Sequence, residues 1–160
     1  MRIIAMCVLF LAVFSFAPAQ RKDQPVAVMS LPTTFDPTRD AAADIRFALS
    51  EARRTGKRVL LDVGGEWCIW CHRLDTLFTT HAALAEFRDR HYVTVKVNYS
   101  KENKNENVLS AYPRIPGYPH LFVLDSKGAL LHSQDTGALE SGKGHDPEKV
   151  MAFLKQWVAP

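Results

Sequence analysis

Two thiols separated by two residues stand at the centre of the segment Glu66-Trp67-Cys68-Ile69-Trp70-Cys71-His72. At that spacing one sulfur can attack and its neighbour can resolve, so the chemistry on offer is thiol–disulfide exchange. The run before the pair, Arg58-Val59-Leu60-Leu61-Asp62-Val63, reads as a buried strand, and residues 73–78 after it read as helix. Cys68 then falls at the helix N-terminus, where unpaired N–H groups and the macrodipole favour a thiolate. Cys71 lies one turn further on, close enough to close a disulfide with it. A passive staple is a poor explanation, because so short a loop removes little entropy from the unfolded chain.

A chain of 160 residues, 47% of them hydrophobic, supplies one domain with a real core. Its formal charge of +3 comes from interspersed signs, with no basic block for nucleic acid and no acidic tail. Arg2, an apolar run over residues 3–16 and then Ala17-Pro18-Ala19 have the layout of a secretory signal peptide, residues 1–19, with Gln20 as the new N-terminus. The run is shorter than the about 20 residues of a membrane-spanning helix, which leaves an uncleaved membrane anchor as the second choice. Cys7 lies inside the run without the small residues that precede a lipoprotein cysteine. Cleavage would remove it and leave Cys68 and Cys71 as the mature thiols.

The elements that must position this pair follow in simple order. Residues 20–36 are polar, carry Pro25 and Pro32 and run up to Pro37; they read as a tether, with a short strand at 26–29. Residues 40–55 read as an amphipathic helix, with Ile45, Phe47, Ala48, Leu49 and Ala52 on its apolar side and Gly56 as a stop. Residues 59–63 form a strand buried on both faces. Residues 71–90 read as helix, interrupted near Thr79-Thr80-His81. Residues 92–99 alternate as a strand, with Val93, Val95 and Val97 on one side, and 101–107 are a charged loop or helix start. A hairpin pairs 121–124 with 129–133 across the turn at 125–128. Asp146 then caps a last helix that has Pro147 at its first position and runs to about Trp157.

This order and several of its residues resemble the thioredoxin-like family. Trp67-Cys68-x-x-Cys71 resembles its active-site motif, and Asp62, six residues earlier, falls where the family keeps a buried acid. Lys96-Val97-Asn98 is similar to the strand whose lysine lies near that acid. Gly117-Tyr118-Pro119 resembles the loop whose proline is cis and faces the disulfide, and Thr136-Gly137-Ala138-Leu139 the turn after the hairpin. The likeness runs from about residue 40 to 157, with a small insertion at 142–145. The long lead and the Cys-x-Trp-Cys-His form look most like exported relatives, including the thioredoxin domain of the membrane carrier that delivers electrons to the bacterial periplasm. The fold implied is α/β, a central mixed β-sheet flanked by helices, with residues 37–160 as the domain.

The resemblance implies a mechanism. Cys68 attacks a substrate disulfide, and Cys71, the more shielded thiol, resolves the mixed disulfide. Asp62 takes the proton of Cys71, and Lys96 offsets the charge on Asp62. Trp67, Tyr118 and Pro119 flank the disulfide and meet the substrate chain. His72 tunes thiol acidity if its ring turns toward Cys71; otherwise it is an exposed helix residue, and Glu66 faces water. No bound cofactor is needed beyond the two cysteines. Electrons come from another dithiol, in the membrane or the periplasm. The sequence departs from the family in Ile69-Trp70, where thioredoxins carry Gly-Pro, and in Gly64-Gly65 before the motif. The dipeptide between the thiols sets a potential that spans roughly −270 to −120 mV among relatives. Asp62 and Trp67 resemble the reducing branch, with an oxidase or isomerase as the rival. A Cu(I) or Zn carrier using the two thiols with His72 or His120 is a further reading.

Overall fold

The computed structural model describes residues 30–160. The expected signal peptide at 1–19, residues 20–29 of the expected tether and the short strand expected at 26–29 lie outside the described residues.

Helix α1 spans Ala41–Thr55. The Asp40 side chain accepts a hydrogen bond from the Ala43 N–H at its start, a cap that stabilises a helix by about 1 kcal/mol. Gly56 ends it with φ of 71°, the left-handed conformation that glycine adopts without penalty. Strand β1, Arg58–Gly64, follows after one residue and is buried almost throughout.

Among the described residues four strands form the main sheet in the order β2-β1-β3-β4. Strand β2, Tyr92–Asn98, pairs parallel with β1; β3, His120–Leu124, pairs antiparallel with it; and β4, Leu130–Asp135, closes the hairpin. Val59, Leu61 and Val63 of β1, with Val95, Val97, Phe122 and Leu124, pack against α1. Leu60, with Tyr92, Leu121 and Val123, packs on the opposite face against α2, Ile69–Thr80, α3, Ala82–His91, and α5, Pro147–Gln156. Each such side chain contributes about 1.5–3 kcal/mol when fully buried, so this alternation fixes the register. The same alternation sends Asp62 to the face that α2 covers.

Three features add detail to the sequence reading. The helix expected over 71–90 begins two residues earlier, at Ile69, with Cys68 as its N-cap, and the interruption expected near residues 79–81 is its division at His81 into α2 and α3. A four-residue helix α4, Glu106–Leu109, stands where a loop or helix start was expected. The insertion near 142–145 is a small hairpin of β5, Glu140–Ser141, and β6, Gly144–His145, which packs on α2. Two-residue strands around a turn leave too little pattern to be read as strands.

Residues 31–36, read from the sequence as the end of the tether, pack against the domain. Leu31 packs on the α1 side of the core, and Phe35 is only 1% exposed. Arg39 ties the segment down by donating to the Ser30 carbonyl at 2.9 Å while pairing with buried Asp44. Asn103 donates to the Pro37 carbonyl at 2.9 Å. Proline-rich composition argued for a tether; a single aromatic anchor outweighs it.

Candidate functional site

Cys68 and Cys71 form a disulfide at the N-terminus of α2. The Cys71 N–H points at the Cys68 sulfur, 3.1 Å away, so the helix's first turn is directed at the atom expected to carry a thiolate. Cys71 is 1% exposed and Cys68 4%, which leaves the attacking sulfur nearly as enclosed as its partner. Phe35, Trp70 and Tyr118 pack around the pair. Gly64 makes this possible: a Cβ there would lie 2.5 Å from the Cys71 sulfur and 3.0 Å from the Phe35 ring.

Asp62 sits inside the molecule on the α2 side of β1, beside Lys96 in the parallel register with β2. Lys96 Nζ donates to Asp62 Oδ2 at 2.7 Å and also pairs with Asp75, one turn after Cys71 on α2. Burial pushes the Asp62 carboxyl above its ordinary value; the Lys96 ammonium opposes that shift and the Asp75 charge reinforces it. Burial works against the Lys96 charge too, but two carboxylates outweigh it and hold its pKa above the ordinary value. Asp62 Oδ1 has no hydrogen-bond partner among the described residues. A buried carboxyl held up in this way can take a proton at a stage when an exposed one would have lost it already. Asp75 was missed in the sequence, although its spacing of four from Cys71 places both on one helix face.

Three aromatic rings join the loops around the disulfide. The exposed Trp67 indole donates to the Tyr99 carbonyl at 2.7 Å and meets the Tyr118 ring edge-on at 5.7 Å. Tyr118 stacks on Tyr99 at 4.8 Å, and burial, with Tyr99 beside it, pushes its phenol up to about 12. The Tyr118–Pro119 bond is cis. The buried Thr136 hydroxyl donates to the Pro119 carbonyl at 2.5 Å and fixes this loop from behind. A cleft of about 500 Å³ opens beside Trp67, lined by Tyr99, Ser100, Lys101, Glu102 and Lys104.

His72, His120 and Glu66 are engaged elsewhere. His72 Nε2 lies 2.8 Å from the Glu66 carbonyl, so its ring turns back along the chain instead of toward Cys71. Glu66, expected to face water alone, accepts the Phe35 N–H at 2.9 Å. His120 is buried, with Nε2 2.8 Å from the Ser133 hydroxyl, and burial lowers its pKa. Among the described residues no group of three or more His, Cys, Asp and Glu side chains is arranged to hold a metal. Of the site residues read from sequence, the structure therefore brings Cys68, Cys71, Trp67, Tyr118 and Pro119 together at one end of the sheet. Asp62 and Lys96 lie in the layer beneath α2.

Comparison with known proteins supports this geometry. The chain is 29% identical over 117 residues to the thiol:disulfide interchange protein DsbD of Pseudomonas fluorescens, a match covering 72% of this chain and 18% of that protein. It is 25% identical over 105 residues to the disulfide bond reductase DsbH of Chlamydia pneumoniae, covering 57% of this chain and 63% of that one. The chain thus spans less than two thirds of either relative. A crystal structure described as a disulphide isomerase from Xylella fastidiosa superposes with a TM-score of 0.67 and 25% identity, over 80% of this chain and 97% of the other. The model of the family described as thioredoxin-like matches residues 40–126, from the N-cap of α1 through β3, and the chain belongs to that family.

Proposed function

We propose that this chain is an exported thiol–disulfide oxidoreductase that reduces protein disulfides through Cys68 and Cys71. The observation that carries the reading is a dithiol pair at a helix N-terminus above a buried carboxyl held beside a lysine. Cys68 thiolate attacks a substrate disulfide, forming a mixed disulfide and releasing one substrate thiolate. Cys71 then loses its proton to Asp62 and attacks the Cys68 sulfur. The second substrate thiol leaves, two electrons have passed to the substrate, and the Cys68–Cys71 disulfide remains. A second protein dithiol, in the membrane or the periplasm, restores the reduced pair.

The substrate chain lies extended between the cis Tyr118–Pro119 loop and the cleft beside Trp67. The reducing direction draws on Asp62 and Trp67 and on the relative described as a disulfide bond reductase. Residues 1–19 act as the export signal in this reading, and the periplasm is the working compartment. A disulfide isomerase is the second reading, favoured by the description of the Xylella structure. The metal reading draws no support from His72 and His120, both of which are turned to other partners.

The test is the reduction potential of the Cys68–Cys71 pair, measured by equilibrating the protein in thiol redox buffers. A value near −270 mV, roughly the thioredoxin end of the range, supports an electron donor. A value near roughly −120 mV makes the protein a disulfide donor or isomerase and overturns the direction.

A further inference from the structure

The thioredoxin-like match begins at residue 40, yet one wall of the disulfide's surroundings comes from before it. Phe35 is buried with Cys68 and Cys71, and its ring shares with the Cys71 sulfur the space left open by Gly64. The same ring lies 4.4 Å from Lys96 Nζ, so one apolar group faces both the resolving sulfur and the ammonium that balances Asp62. Its backbone is held by Glu66, the residue immediately before Trp67, through the 2.9 Å bond from the Phe35 N–H to Oε1. Arg39 and Asn103 pin the chain on either side, at Ser30 and Pro37.

We infer that Phe35 is a positioning residue of the redox centre, delivered by the segment ahead of the domain and locked by Glu66. It excludes water from Cys71 and from the Lys96–Asp62 pair. The argument is electrostatic. Water beside a thiol or carboxyl stabilises the charged form, whereas an aromatic ring leaves the neutral form favoured. Over an ammonium, the ring face also supplies the attraction that water would have given. Removing Phe35 therefore hydrates Cys71, lets its thiolate form at lower pH and weakens the burial that raises the Asp62 pKa. A residue that merely filled the core would change stability and leave these ionisations in place.

The inference concerns the exchange reaction proposed above, but its test does not require that reaction. In the full-length reduced protein carrying Cys68→Ser, iodoacetamide labelling of Cys71 is followed against pH by mass spectrometry of its peptide. Phe35→Ala is expected to speed labelling at pH 7 about tenfold and to move the pH midpoint down by about one unit. Phe35→Leu, which keeps apolar volume but offers Lys96 no ring face, falls between the two. Glu66→Ala shifts the midpoint further than Glu66→Gln, because the amide oxygen still accepts the Phe35 N–H while both variants lose the same charge. This pair decides the matter if Phe35→Ala fails to fold. The proposal is overturned if Phe35→Ala lowers the melting temperature but labels like the parent, or if the two Glu66 variants are indistinguishable. Absence of disulfide exchange in the unmodified protein would remove the proposed function and leave this labelling result standing on its own.

Discussion

Replacing Asp62 by Asn should make the oxidised protein more stable and a worse catalyst at once. The residue is 4% exposed, one carboxyl oxygen accepts from Lys96 at 2.7 Å, and the other has no partner among the described residues. Burial holds its folded pKa above that of the unfolded chain, where an aspartate titrates near about 3.9. Below that pH both states are protonated and the group costs nothing. As pH rises from there through the raised folded value, the folded protein must release a proton it holds more tightly, so stability falls and then levels off. Asn never ionises, and Lys96 is not stranded because Asp75 stays on its ammonium. The gain at pH 7 is then about 1–3 kcal/mol, the scale of one uncompensated buried polar group. For a domain of this size that is about 3–9 °C in melting temperature. Loss of the proton acceptor should slow disulfide exchange about 100-fold at the same pH. Thermal unfolding of the oxidised variant at pH 7 and pH 3.5, with exchange rates on a protein disulfide, tests both halves. A gain equal at the two pH values, or a loss of stability at pH 7, refutes the ionisation argument; an undiminished rate refutes the proton role.

The other expectations are simpler. Cys71→Ser should accumulate a mixed disulfide between Cys68 and substrate, visible as a mass increase that dithiothreitol reverses, while Cys68→Ser abolishes exchange. Asp75→Asn leaves Lys96 to Asp62 alone and removes a like charge that pushes Asp62 up, so the acid limb of the pH–rate profile should move to lower pH. Gly64→Ala would place a Cβ 2.5 Å from the Cys71 sulfur; it should destabilise the oxidised protein by about 1–3 kcal/mol, read by denaturant titration.

Much of this architecture was legible in the sequence because its signals are local. Asp40, Gly56, Asp146 and Pro147 announce helix ends by their own chemistry, and the apolar run of β1 needs no partner to be recognised. The cysteine pair is likewise a matter of spacing along the chain. What stayed hidden depends on pairings across long stretches of sequence. Glu66 reads as a solvated acid until Phe35, 31 residues earlier, is brought against it. The Trp67 indole needs the Tyr99 carbonyl, 32 residues on, before its orientation has a cause. Asp75 was the exception, since helical periodicity alone puts it below Cys71, and only its shared claim on Lys96 required the sheet.

The short separation of Cys68 and Cys71, three positions along the chain, ties redox behaviour to folding through a thermodynamic cycle. Closing so small a ring orders little of the unfolded polypeptide, so the denatured chain oxidises much as a free dithiol peptide does. Any difference between the potential of the folded protein and that of the peptide must then equal the difference in folding stability of the oxidised and reduced forms. For a two-electron couple, about 30 mV corresponds to about 1.4 kcal/mol. Two denaturation curves, one for each redox state, would thus report how strongly this scaffold favours its open or closed pair, without any electrode or redox buffer.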